Sequence, residues 1–362
     1  MTSLFDPLPY ARGPAMKNRF MLAAMTNCQS HPDGTLSADE FHWLTMRAKG
    51  GFGLTMTCAA HVQAQGQGFP GQLGVFSDAH LPGLSRLAAE IKRYNSRAVV
   101  QLHHAGIRSP ADLVGKPVGP SDHADTKSRG LTRDETLRVR DDFIAAAARC
   151  EKAGFDGVEL HGAHGYILCQ YLSEETNQRT DEYGGSLENR ERLLMEIIDG
   201  VRAACGRDFT LGVRLSPERF GIKLGEARAT SQRLMREGRI DFLDVSLWDF
   251  AKKPNEEEFH ARPILEWFTD LERGNTRLGA AGKIYTGAQA QYCLDKGLDA
   301  VIIGRAAILH HDLPERIRAN PHFTPAALPV SPAYLHGEGL SDTFVKYMRR
   351  WEGFVAPLDE AA

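Results

Sequence analysis

The sequence predicts a single α/β domain, a (β/α)8 TIM barrel with a C-terminal extension. Eight apolar runs recur along the chain, each followed by a helix or a helix-length segment. They read as continuously apolar rather than alternating, as parallel strands buried on both faces do. No G-x-G-x-x-G follows the first run, so a doubly wound dinucleotide-binding sheet lacks its fingerprint. A barrel needs about 250 residues plus insertions. The 362-residue chain accommodates one over residues 1–322, with residues 323–362 as the extension.

The elements follow in order. RFMLAAM from Arg19 is the first strand; Ser37 with Glu40 three residues on offers a capping box to a helix reaching about Lys49. GFGLTMTCA from Gly51 is the second strand, with a helix from near Pro82 to Tyr94. RAVVQLHHAG from Arg97 is the third, and the Gly/Pro/Ser/Asp-rich stretch 106–135 is a long loop before a helix closed by Gly154. FDGVELHG from Phe155 is the fourth strand. Ser186 caps a helix carrying Leu194, Ile197, Ile198 and Val201 on one face, ended by Gly206. FTLGVRLS from Phe209 is the fifth, with a helix from Leu224 to near Gly238, and IDFLDVSL from Ile240 is the sixth, with a helix over 264–272. GKIYTG from Gly282 is the seventh, with a helix over 288–296. LDAVIIGR from Leu298 is the eighth, with a closing helix opened by Asp312 and Pro314.

Composition excludes several classes. Hydrophobic residues at 42% are too many for a disordered chain. Forty-three Lys+Arg against 46 Asp+Glu, a net −3, remove the electrostatic case for nucleic acid or an anionic membrane surface. No apolar run reaches the ~18 residues of a membrane span, and the first twenty residues carry no secretory signal pattern. The six cysteines have neither C-x-x-C pairing nor metal-ligand spacing, so the expectation is a cytoplasmic protein without disulfides or metal.

In a barrel the active site lies at the strand C-termini. Those ends hold Ala24, Met25, Thr26, Ala59, Gln101, His161, His164, Tyr166, Arg214, Trp248, Gly287, Gly304 and Arg305, with almost no carboxylate. Such a donor-rich set suits an anionic or carbonyl-bearing ligand. His161 and His164, with Tyr166 two residues on and Gly162 and Gly165 allowing close approach, read as a functional group. Arg214 either pairs with a carboxylate in the mouth or holds a ligand. Gly304-Arg305 beside Gly287 reads as a phosphate cradle.

The stretch Glu159 to Ile198 resembles the old yellow enzyme family of FMN-dependent oxidoreductases. His161, His164, Gly165 and Tyr166 meet its H-x-x-(H/N)-G-Y pattern. Asn177, Arg179, Asp181, Tyr183, Gly184, Gly185, Ser186, Asn189 and Arg190 meet a second, longer one. The likeness extends through AAMTN, VVQLHHAG, GVRLS and VIIGRAAI, over about residues 5 to 320. Much of the long motif reads as architecture, with Arg179, Asp181, Arg190 and Arg192 forming a charged knot that fixes the loop after strand four.

The resemblance implies FMN at the barrel mouth and NADPH or NADH as co-substrate. Ala23, Ala24, Met25 and Thr26 would line the ring, Ala59 pack beside it, Gln101 bond its pyrimidine edge and Arg214 stabilise its reduced form. Gly287, Gly304 and Arg305 would hold the phosphate. His161 and His164 would bind a substrate carbonyl oxygen, and Tyr166 would protonate the α-carbon. The implied activity is an ene-reductase of α,β-unsaturated carbonyl or nitro compounds. Alternatives are the same flavin barrel oxidising an amine, supported by Trp248, and, remotely, a flavin-free lyase or isomerase of a phosphorylated substrate. Cys28 and Thr26 stand where some relatives carry Tyr and Cys. No cysteine-rich iron–sulfur segment is found, which disfavours the larger relatives. Arg349, Arg350 and Trp351 read as a solvated basic helix end, the alternative being a reach into a neighbouring subunit's site. Substrate identity, nucleotide preference and homo-oligomerisation stay open.

Overall fold

A computed structural model describes residues 2–357. Eight parallel strands close into a barrel in sequential order. They are β1 (Phe20–Leu22), β2 (Leu54–His61), β3 (Arg97–His103), β4 (Gly157–Gly162), β5 (Thr210–Leu215), β6 (Phe242–Ser246), β7 (Arg277–Ala281) and β8 (Ala300–Ile303). β1 pairs with both β8 and β2, which completes the closure. The principal outer helices are α1 (Ala38–Lys49), α2 (Leu81–Arg93), α3 (Arg133–Lys152), α4 (Leu187–Ala204), α5 (Leu224–Arg236), α6 (Gly287–Asp295) and α7 (Leu313–Ala319). Among the described residues, no helix is long and apolar enough to cross a membrane. All six cysteines are free thiols.

Side chains alternate in and out along each strand. Phe20, Leu22, Val100, Leu102, Val158, Leu160, Leu211 and Val213 face the helices in the larger core. Met21, Leu54, Met56, Val99, Phe242, Ala300 and Ile302 fill the lower barrel, closed below by Leu8 and Met16. Above that apolar layer the inward positions turn polar. Gln101 (β3), Glu159 (β4), Arg214 (β5) and Asp244 (β6) are all buried. The register of β2 on β3 shifts between Met56 and Ala59, an irregularity of the kind that re-aims side chains near active sites.

Three expectations need correction. β7 is Arg277–Ala281, not the stretch from Gly282 to Gly287, which forms the following loop and the start of α6. RLGAA has a charged residue, a glycine and alanines, whereas GKIYTG carries the β-branched and aromatic residues that favour strands. The Ser37 capping box is half made: Ser37 Oγ accepts from Glu40 N, but the Glu40 carboxylate turns inward to Asn27 and Ser30. The charged knot is divided. Arg179 pairs with Asp181, Arg190 pairs with Glu226 on α5, and Arg192 binds the Glu182 carbonyl.

Part of the described chain after α7 folds back onto the barrel. Helix α8 (Asp342–Met348) packs Phe344 edge-on against Trp43 of α1, and Val345 and Met348 are buried with it. This carries Tyr347, Met348 and Trp351 to the barrel mouth.

Candidate active site

The strand C-termini surround a cavity of about 540 Å³. Ala23, Ala24, Met25, Thr26, Ala59, Gln101, His161, His164, Tyr166, Arg214, Gly304 and Arg305 all line it. Gly287 does not. It opens α6, where a Cβ would come within 2.8 Å of Ile317. The misplaced end of β7 accounts for this, and Gly282 lines the cavity in its stead.

His161, one residue before the end of β4, points inward. The Ala163 N–H donates to His161 Nδ1 at 3.3 Å, which leaves the ring proton on Nε2. The chain then turns through His164 and Gly165, both in the left-handed region at φ 60° and 70°. His164 N donates to Ser216 Oγ, and His164 Nε2 lies 2.7 Å from Ser246 Oγ. Ser246 also accepts from Arg214 at 3.2 Å; with its own hydroxyl donating to His164 Nε2, that ring's proton stands on Nδ1. Tyr166 precedes the short helix Ile167–Leu172. The His161 ring centroid lies 5.1 Å from that of His164 and 5.0 Å from that of Tyr166.

Burial, then the neighbouring histidines and Arg214, hold His161 well below the usual imidazole range. Burial, then Arg214 and Arg108, do the same for His164. Both rings are therefore neutral near pH 7. They offer N–H donors without charge, suited to a carbonyl oxygen. His103, at the end of β3, was not singled out from the sequence. Its ring stands edge-on to Tyr166 at 4.3 Å and its Nδ1 lies 3.0 Å from Gln72 Nε2, so it backs the tyrosine.

Beneath the cavity, Gln101 Nε2 donates to Glu159 Oε1 at 2.7 Å, and Arg214 Nε lies 3.0 Å from Asp244 Oδ2. Arg214 therefore pairs with a carboxylate and lines the cavity as well. Burial pushes the Glu159 carboxyl up, its neighbour Asp244 adds to that, and Arg214 opposes it. Burial likewise raises Asp244 against the pull of Arg214. The mouth is thus poor in carboxylates while the layer below holds two.

The residues fit a flavin. With its amide nitrogen committed to Glu159, Gln101 keeps its carbonyl oxygen to accept the N–H of a pyrimidine edge. Ala23, Ala24 and Ala59 give a low wall. At the far side, Arg305 lies over the rings of Tyr285 (5.9 Å) and Trp351 (5.4 Å) and has no carboxylate partner among the described residues. A Cβ on neighbouring Gly304 would meet only Met25 Sδ, at 3.7 Å, so the backbone there is open to an anion.

The family model for the NADH:flavin oxidoreductase / NADH oxidase family matches residues 3–322. The chain belongs to this family. It is an old yellow enzyme-type oxidoreductase whose cofactor is FMN and whose electron donor is a nicotinamide nucleotide. A probable NADH-dependent flavin oxidoreductase of Bacillus subtilis is 35% identical over 318 residues, covering 84% of this chain and 85% of the relative. An NADPH dehydrogenase of Clostridium acetobutylicum is 39% identical over 242 residues, 64% of this chain and 70% of the relative. Among solved structures, the old yellow enzyme homologue from Zymomonas mobilis superposes with a TM-score of 0.79 at 28% identity, over 94% of this chain and 99% of that one. A 2-naphthoyl-CoA reductase gives 0.80 at 26% identity over 88% of this chain, which spans only 52% of that larger protein.

The tail residues of the oxidoreductase lie outside the family match, and sequence reasoning missed what they do. Tyr347 lies against Thr26, and the Trp351 and Trp248 rings approach at 6.5 Å with a 36° tilt. Trp248 is 54% exposed and left-handed at φ 65°. Trp351 is therefore a wall of its own chain's cavity, not a solvated helix end. The aromatic spacing of Tyr347 and Trp351 was the only signal available.

Proposed function

We propose that the protein is an ene-reductase, saturating the C=C bond of α,β-unsaturated carbonyl or nitro compounds at the expense of NADH or NADPH. The arrangement of two neutral imidazoles and one tyrosine around a single cavity carries this reading. Bound FMN would supply the hydride relay between nicotinamide and alkene. Ala23, Ala24, Met25, Thr26, Ala59, Gln101 and Arg214 would hold its ring, and Gly304 and Arg305 its phosphate. Gly282 replaces Gly287 in that proposal.

The chain's own groups do the rest. His161 and His164 donate to the substrate's carbonyl or nitro oxygen and withdraw electron density from the conjugated C=C. Being neutral, they lose no proton to solvent and pay no charge burial. Tyr166 holds the proton destined for the α-carbon. Its ring is fixed by His103 on one side and by the Arg108 guanidinium, 5.1 Å from its centroid, on the other. Amine oxidation is disfavoured by the cavity's charge: Arg108, Arg219 and Arg305 line it without carboxylate partners among the described residues and would repel a cationic amine.

The test is anaerobic. NADH or NADPH should bleach the flavin absorbance of the holoenzyme, and cyclohexenone should restore it. Bleaching by a methylated amine, with none from either nucleotide, would reverse the assignment.

A further inference from the structure

Two arginines at the mouth carry charge that no carboxylate among the described residues neutralises and that the reading above assigns to no ligand. Arg108, in the loop after β3, and Arg219, in the loop after β5, are both exposed at the cavity rim. Glu218, the acidic residue beside them, is already committed to Lys252 and the Asn255 N–H. Phe220 stands between the two arginines, 5.8 Å from each guanidinium carbon. Arg108 also covers Tyr166 and donates to the His164 carbonyl, while Arg219 lies 5.0 Å from the Trp248 centroid. Two cations are thus ranged along an aromatic rim above the His161, His164 and Tyr166 set.

The rim is built at a cost. Arg219, Phe220 and Gly221 are consecutively left-handed, at φ 71°, 56° and 73°, closed by Ile222 N donating to Arg219 O at 2.9 Å. A non-glycine residue enters that region only against a steric clash of its Cβ with the backbone. Gly165 lacks the Cβ that would lie 3.0 Å from Phe220 and 3.4 Å from Arg108, which lets both settle over the catalytic turn.

We propose that Arg108 and Arg219 receive an anionic group, a carboxylate or phosphate, on the molecule seated over His161, His164 and Tyr166. This rests on the ene-reductase reading and extends it. The anion belongs either to the pyrophosphate of the hydride donor or to a carboxylate or phosphate on the alkene substrate. Arg305 is reserved for the FMN phosphate, so the rim pair is the charge left for the second ligand.

The test reads binding without turnover, so it stands even if the reductase chemistry is wrong. Oxidised holoenzyme and its Arg219→Gln variant are titrated calorimetrically with three probes. These are unreactive tetrahydro-NAD, a neutral cyclohexanone and its carboxylate-bearing analogue. A charge-assisted hydrogen bond lost at the rim weakens an anionic probe by about tenfold or more. Weakening of tetrahydro-NAD alone assigns the anion to the nucleotide, and weakening of the carboxylate analogue alone assigns it to the substrate. In either case 0.5 M salt narrows the difference and Arg219→Lys recovers part of it. Equal affinities within twofold for all three probes, or an equal loss for the neutral ketone, would overturn the proposal.

Discussion

Replacing His104 with Gln should make the enzyme less sensitive to acid, by an amount the structure sets. The His104 ring is buried under Gly66, with Nδ1 accepting from the Gly106 N–H at 3.0 Å and Nε2 3.0 Å from Gln63 Oε1. Protonating Nδ1 would set one N–H against another in a dry site. Burial, with His61 nearby, accordingly lowers this imidazole to about 3. Its folded form refuses a proton that the unfolded chain accepts at about 6.5. The stability tied to His104 is therefore complete above pH 6.5 and is lost as pH falls, because the unfolded state then binds more protons. The loss is on the order of 1 kcal/mol at pH 5.5 and on the order of 3 kcal/mol at pH 4.5. A glutamine keeps an acceptor for the Gly106 N–H and has no proton to refuse. Urea unfolding of wild type and His104→Gln at pH 7.5, 6.5, 5.5 and 4.5 checks this. The stability difference between them should move in the variant's favour by those amounts below pH 6.5. A difference that stays constant from pH 7.5 to 4.5 would mean that His104 ionises freely in the fold, and the reasoning fails. The comparison cancels the contributions of Glu159 and Asp244, whose raised carboxyls act in the opposite direction.

Three further outcomes are expected. Tyr166→Phe should slow reoxidation of the reduced enzyme by cyclohexenone by about 10²-fold or more, as measured by stopped-flow absorbance, while bleaching by nucleotide still proceeds. Glu159→Gln should gain stability over wild type as pH rises from 5 to 8. A buried carboxyl with a raised pKa contributes fully at low pH and loses its contribution on ionising, at up to about 1.4 kcal/mol per pH unit; denaturant midpoints measure it. Gly165→Ala should cost about 1–2 kcal/mol for a left-handed alanine, lower the Tm, and reduce kcat by displacing Phe220 and Arg108 from the His164–Tyr166 turn.

Strand and helix order was legible because burial on both strand faces writes a run of apolar residues that a single sequence displays. That same continuity hides which residues face inward. Glu159 and Asp244 sit within such runs, and only their parity with His161 and Ser246 along β4 and β6 puts them inside the barrel under the site. Strand β7 failed for the complementary reason. Glycine and alanine let it pack on β8, where Gly279 meets Ile302 closely, but they carry no strand signal. His161, His164, Tyr166 and Arg214 were legible because polar residues ending apolar runs are conspicuous. Tyr347 and Trp351 were not, because nothing local connects a C-terminal helix to β1. Phe344 docking on Trp43 of α1 and Tyr347 lying against Thr26 beyond β1 do so through space.

The polar layer bears on why the barrel is built in two storeys. A buried pair of carboxyl groups with one guanidinium is seldom the most stable filling of a core, since apolar residues of similar volume do as well or better. Here Glu159 Oε2 and Asp244 Oδ1 have no hydrogen-bond partner among the described residues, which adds to the cost. The barrel confines that cost to the level touching the cavity, with Met21, Leu54, Met56, Val99 and Phe242 packed beneath it. Arg214 needs a counter-charge to lie inside a barrel at all. Asp244 provides it from the adjacent strand, at the position registered opposite Arg214. Glu159 answers a different need, fixing the amide of Gln101 so that one chosen oxygen faces the cavity. Each charge in the layer is accounted for by what it presents upward, and the stability lost there is set against the closed apolar layer below.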